Sequence, residues 1–198
     1  MQHKIKTRSG SERVFYFDST LLSMPQFKYL STLLLLLVSG FISAQTDTIS
    51  RITEDEKLVE FFSQHQLQID TTVNLQLYKV SYDWMGTHYR YSGNTNKGID
   101  CSGFAKIIYR EAFHDTLSGG SADMAKRVNL LPKENLQTGD LVFFKIKKKR
   151  VSHVGVYLGN NKFVHAAIKG GVQINDLDEP YYKRHFYRGG RLPLSDKE

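Results

Sequence analysis

Two strand-favouring runs, His153-Val154-Gly155-Val156-Tyr157-Leu158 and Lys162-Phe163-Val164-His165-Ala166-Ala167, flank the tripeptide Gly159-Asn160-Asn161. Glycine and asparagine accept the left-handed backbone of a tight turn, so the runs are expected to fold back on each other as an antiparallel hairpin. This carries a parity condition. Side chains alternate faces along a strand, so His153 and His165 share a face only if the loop holds an odd number of residues. A three-residue loop pairs Leu158 with Lys162 and Gly155 with His165, with Asn161 as its left-handed residue. The histidines then lie diagonal, roughly 7–8 Å apart between Cα atoms, a span two imidazoles bridge. A two-residue loop would send them to opposite faces.

The second constraint is Gly98-Ile99-Asp100-Cys101-Ser102-Gly103-Phe104, which contains the only cysteine in 198 residues. Phe104, Ala105, Ile108 and Ala112 follow Cys101 at offsets of three, four, seven and eleven. They form one helical stripe, so the face that packs inward also carries the thiol. Asp100 is suited to cap that helix. Further helices are expected at Glu54–Phe62, at Asn74–Met85 (delivering Trp84 to the core) and at Ser121–Arg127. A turn-rich stretch spans Gly86–Gly93. Gly139-Asp140 turns into a strand over Leu141–Ile146, which the basic run Lys145–Arg150 closes as a solvated hairpin tip. A strand at Val172–Ile174 follows, and Arg188–Leu192 ends the sheet.

Near the N-terminus, the apolar run Tyr29–Ala44 follows Lys28 and ends in the small residues Ser43 and Ala44. It falls short of the roughly 20 apolar residues of a membrane span. Residues 24–44 read as a secretory signal peptide cleaved before Gln45, the alternative being a retained anchor. Residues 1–23 precede Met24 and read as a mis-assigned start or a disordered extension. Residues 45–72 form a polar segment with a short helix, and 73–194 the main domain. No cysteine follows the apolar run, so a lipoprotein is not expected. The product should be exported, periplasmic or secreted, with no stable membrane anchor after cleavage.

The formal charge is +7, but from Gln45 onward 22 basic residues face 18 acidic ones. A mild bias of this kind suits an anionic polymer and lacks the clustered basic footprint of a nucleic-acid binder. One cysteine excludes an intrachain disulfide, leaving a buried inert thiol or a reactive one. At a helix N-terminus beside an imidazolium, a thiol pKa of about 8.5 can fall to roughly 3.5–7.5. His153 would serve as base, with His165 holding its second ring nitrogen, the role Asn or Asp plays in other hydrolases. Zinc is not expected, because one Cys and two His twelve residues apart lack the close ligand pairs of zinc sites. No other cofactor is called for. His3, His65, His88, His114 and His185 show no partner pattern and read as surface residues.

Four segments together resemble the NlpC-type family of cell-wall cysteine peptidases: Asp100–Phe104, Gly139–Phe144, His153–Gly159 and Phe163–Ala166. Gly86–Tyr91 and Glu179–Tyr182 resemble its Spr-like murein endopeptidase branch, and the similarity runs from about Leu75 to Leu192. The resemblance implies an α+β fold with a papain-like core, in which a Cys-bearing helix packs on an antiparallel sheet. It implies a peptidoglycan endopeptidase that cuts stem peptides or cross-links through an acyl-thioester, with D-Ala–diaminopimelate favoured over D-Glu–diaminopimelate. By position, Cys101 would be nucleophile, His153 base and His165 orienting residue. Tyr89 would support the oxyanion beside the Cys101 N–H. Asp100 and Ser102 would line the substrate cleft, and Arg90 would face a stem-peptide carboxylate. Rival uses of the same residues are an amidase or acyltransferase, or a wall-binding protein without turnover.

Overall fold

The computed structural model describes residues 54–69, 75–146 and 149–193, all within the compact unit Thr53–Glu198. The expected translation start, the signal peptide at 24–44, part of the polar segment, and Lys147-Lys148 lie outside them.

Helix α1 covers 54–64. It is followed by α2 (Leu75–Asp83), the short ribbon β1 (Asn94–Thr95) and β2 (Gly98–Ile99), α3 (Cys101–Ala112) and α4 (Ser121–Met124). The remainder is β3 (Asn129–Leu131), β4 (Leu141–Phe144), β5 (His153–Gly159), β6 (Lys162–Ala167), β7 (Gly171–Asp176), α5 (Pro180–His185) and β8 (Phe186–Arg191). The main sheet is antiparallel in the order β3-β8-β4-β5-β6-β7. The molecule is therefore α+β, with the Cys-bearing helix on an antiparallel sheet. The last strand does not form an edge, as its place in the chain suggested. β8 runs between β3 and β4, where Arg191 Nε and Nη2 donate to the Asp140 carboxylate at 2.8 and 2.7 Å.

Alternation along the strands sorts the core into two clusters. Leu141, Phe143, Val154, Val156, Leu158, Val164 and Ala166 face α2 and α3, joining Leu77, Val80, Phe104, Ala105 and Ile108. Leu58 and Phe62 of α1 enter the same cluster. On the other face Val142, Phe144 and Phe163 pack with Leu177 and with Tyr182 of α5. Trp84, just past α2, stands 6.2 Å from the Phe104 ring, as its pattern suggested.

The turn between β5 and β6 corrects the expected loop. Gly159 pairs with Lys162, so only Asn160 and Asn161 form the turn, and both are left-handed (φ 45° and 60°). Two asparagines in that conformation make a mirror-image turn whose twist suits the flanking strands. The register shifts between Tyr157 and Gly159, where Leu158 is an extra residue. That bulge offsets the shorter turn, because Val156 still faces Val164 and the histidines stay on one face.

Candidate active site

Asp100 organises the start of α3. Its Oδ1 accepts from the Gly103 N–H at 2.6 Å and the Ser102 hydroxyl at 2.8 Å, capping the helix as the sequence suggested. Its Oδ2 accepts from the Ser92 N–H at 3.0 Å, tying the preceding loop to the first helical turn. Asp100 and Ser102 thus spend hydrogen bonds on each other and on the backbone that presents Cys101.

The thiol is 9% exposed and belongs to the helix-side cluster. His153 and His165 belong to the opposite face, where His153 stacks near Phe144 and His165 near Phe163 and Tyr182. What joins them is a seam. Rungs between β5 and β6 run from the turn to Val156↔Val164, whereas β6 and β7 stay paired to Ala167↔Gly171. At the end of β5 that β6 leaves unpaired, the Val154 N–H is near enough to the Cys101 sulfur to favour its thiolate, one residue from His153. Gly155 keeps the seam passable. A Cβ there would lie 2.7 Å from the Phe163 ring, 2.9 Å from the Val164 carbonyl and 3.2 Å from His165 Cβ.

The two imidazoles are directly bonded, His153 Nε2 to His165 Nδ1 at 2.7 Å. His165 Nε2 reaches Asn175 Oδ1 at 2.9 Å and lies 3.2 Å from the Tyr182 hydroxyl. The Asn175 amide nitrogen donates to Glu179 at 3.1 Å. Asn175 was absent from the sequence expectations, although the same parity rule could have found it, and Glu179 and Tyr182 entered only as part of a family-like segment without a role. His165 pairs with Gln173, and Asn175 is the next residue on that face of β7.

Burial pushes the Cys101 thiol up to about 11. The Val154 and Ser102 N–H groups oppose the rise, and the Asp100 carboxylate adds to it. The expected lowering by the helix start is therefore outweighed, since desolvation disfavours the thiolate more than a few N–H groups favour it. Burial, and then His165, hold His153 well below the usual imidazole value. Burial lowers His165 to about 4, against the pull of Asn175 and Glu179. At neutral pH the resting site is a neutral thiol beside two neutral imidazoles.

These shifts make a stability prediction. An imidazole whose folded pKa lies below its unfolded value of about 6.5 stabilises the fold above 6.5, and that contribution is lost as pH falls through the folded value. For His165 alone the interval from 6.5 to about 4 corresponds to about 3 kcal/mol. Denaturant midpoints should hold steady from pH 8 to 7 and decline steadily from 6.5 to 4. A flat profile would mean that the imidazoles titrate freely in the fold.

Tyr89 is half-buried and bridges to Ile99 just before the helix. Burial raises its phenol, and the Cys101 and Asp100 charges add to the rise. Arg90 is exposed, its stem lies against Gly98, and among the described residues no carboxylate pairs with it. His88 and His114 are exposed, while His65 lines a pocket with Asn175 and Glu179. His65 Nδ1 lies 2.9 Å from the Phe61 carbonyl and His185 Nδ1 3.2 Å from that of Lys145. Among the described residues no group of three or more His, Cys, Asp or Glu side chains could hold a metal ion. No described helix is long and apolar enough to cross a membrane.

A helix that starts on a buried cysteine, an antiparallel sheet, and an imidazole pair at the seam define the papain-like class of α+β domains. The chain belongs to the NlpC/P60 family, whose profile matches residues 86–191. It is 42% identical over 110 residues to the murein DD-endopeptidase MepS/murein LD-carboxypeptidase of Escherichia coli, covering 56% of this chain and 58% of that protein. It is 39% identical to the probable endopeptidase NlpC of Escherichia coli, over 55% of this chain and 71% of that one. A solved NlpC/P60 family protein from Bacillus cereus superposes with a TM-score of 0.56 at 31% identity, over 64% of this chain and 42% of that one. The chain thus spans little more than half the length of the MepS relative.

Proposed function

We propose that this protein is a peptidoglycan endopeptidase in which Cys101 is the nucleophile, His153 the general base and acid, and His165 the residue that orients His153. The observation that carries the reading is the imidazole pair at 2.7 Å, with the Cys101 thiol under the influence of the N–H of Val154, the residue after His153, in a domain of this family. Because His153 uses Nε2 to meet His165, Nδ1 is the atom left for the thiol. As a stem-peptide carbonyl enters, Cys101 attacks it and the thiol proton passes to His153 Nδ1. The Cys101 N–H and the Tyr89 hydroxyl face the developing oxyanion. His153 then hands its proton to the leaving amine, giving an acyl-thioester. Water attacks that ester with His153 as base, which restores the neutral thiol. Chemistry of this kind draws on side chains and one backbone N–H of the chain itself.

The cut favoured is the D-Ala–diaminopimelate cross-link, supported by the DD-endopeptidase activity in the name of the MepS relative. Arg90, exposed and without a carboxylate partner among the described residues, is suited to a stem-peptide carboxylate, and Asp100 and Ser102 would line the substrate cleft. The protein would meet this substrate after export, with residues 24–44 as signal and no lipid anchor. The test is digestion of purified peptidoglycan followed by mass spectrometry of the fragments. Cross-linked dimers should fall to monomers. Shortened stems would move the cut to D-Glu–diaminopimelate, and unchanged fragments would overturn the proposal.

A further inference from the structure

We propose that Asn175 and Glu179 are positioning residues that lock His153 in the tautomer with its proton on Nε2, leaving Nδ1 bare toward Cys101. The inference rests on the assignment of Cys101 and His153 as nucleophile and base, and it adds what sets the base in its working form.

The argument starts at the far end of the chain of bonds. A carboxylate only accepts hydrogen bonds. Both Glu179 oxygens lie 3.1 Å from Asn175 Nδ2, and Oε1 also accepts from the Asp176 N–H at 2.8 Å. The amide nitrogen of Asn175 is thereby turned to Glu179 and its oxygen to His165. A second donor agrees, since Gln173 Nε2 lies 2.8 Å from the same Oδ1. An amide oxygen only accepts, so His165 Nε2, 2.9 Å away, carries a proton. A neutral imidazole has one N–H, so His165 Nδ1 is a bare lone pair. His153 Nε2 sits 2.7 Å from that lone pair and must donate to it. Its own Nδ1 is then unprotonated and able to take the thiol proton.

Each link is directional, and the middle of the chain is closed to water: His165 is 1% exposed and His153 8%. The Tyr182 hydroxyl, 3.2 Å from His165 Nε2 and 3.3 Å from Asn175 Oδ1, cannot provide the lock. A hydroxyl both donates and accepts, so it tolerates either tautomer. Only the amide held by a carboxylate imposes a sense on the chain. When His153 becomes imidazolium it still donates from Nε2 to His165, so nothing in the chain has to rearrange during turnover.

The test reads the tautomer directly, by two-bond 15N–1H spectra of the 15N-labelled full chain at pH 7.5, alongside kcat and KM on cross-linked peptidoglycan fragments. The parent should show both histidines protonated on Nε2. Asn175→Leu should give mixed tautomers at His153 and a kcat lower by about tenfold or more, with KM within about twofold. Glu179→Leu, which leaves Asn175 free to flip, should give the same mixture in a second, independently folding variant. The double variant Asn175→Asp/Glu179→Gln exchanges the charged and amide groups, which reverses the bond between them but still presents an oxygen acceptor to His165 Nε2. It should restore the Nε2 proton and bring kcat back to within about threefold of the parent. A His153 that stays protonated on Nε2 in both leucine variants would overturn the lock, as would a double variant that regains neither property. A parent with the Nε2 proton but no Cys101-dependent hydrolysis would overturn the proposed function instead, while the spectra still decide the lock.

Discussion

Cys101→Ala is expected to reduce cross-link cleavage by about 10⁴-fold or more while leaving the fold in place, because no other thiol exists to take over. The remaining rate would come from binding and from the oxyanion donors, which act without a nucleophile. Removing one buried sulfur from the first turn of α3 costs about 1–2 kcal/mol, a small loss beside the packing of Phe104, Ala105 and Ile108 on the same face. Cys101→Ser should fare little better than alanine. A hydroxyl is a weaker acid than a thiol, and burial already makes His153 a weak base. Activity would be followed as loss of cross-linked dimers, and the fold by thermal unfolding, with midpoints within a few degrees of the parent. Cleavage by the alanine variant at more than about a hundredth of the parent rate would show that another group performs the chemistry.

Phe144→Ala should cause the largest loss of stability, about 3–5 kcal/mol. Phe144 is fully buried. Its ring lies 5.7 Å from His153, 5.1 Å from Phe163, 5.6 Å from Tyr182 and 6.0 Å from Phe186. It is the common neighbour of His153 and of three rings in the smaller cluster, which has few other apolar groups to collapse into the space. The effect should exceed stability. Where enough folded protein remains, turnover should also fall, because the His153 ring loses the wall that sets its orientation. Urea unfolding of parent and variant gives the first quantity, and kcat at a temperature where both are folded gives the second. A loss below about 1 kcal/mol would mean that the cluster repacks around the gap.

The sequence carried much of this site because its signals are local. The stripe from Cys101 to Ala112 and the cap at Asp100 lie within one helix, and each held as expected. The shared face of His153 and His165 depended on turn length plus parity. The expected turn was one residue too long, and the unforeseen bulge at Leu158 compensated. Three things were out of reach. The sign of the Cys101 shift depends on how completely α3 is covered, which a helical pattern does not reveal. The position of β8 inside the sheet depends on pairings between residues some 45–60 apart, such as Leu141 with Gly190 and Leu131 with Gly189. The placement of thiol and imidazoles on opposite faces depends on where β5 and β6 part. That separation leaves no mark in residue periodicity.

The extra residue at Leu158 marks where the hairpin's tip is uncoupled from its imidazole pair. Surface turns gain and lose residues freely, since little packs against them. Here Tyr157↔Phe163 and Gly159↔Lys162 stand on either side of Leu158, so a residue gained or lost at the tip leaves Val156↔Val164 and both histidines on their faces. One gained between His153 and Val156 would instead turn His153 to the other side of the sheet. Drift in length is cheap at the tip and costly below it.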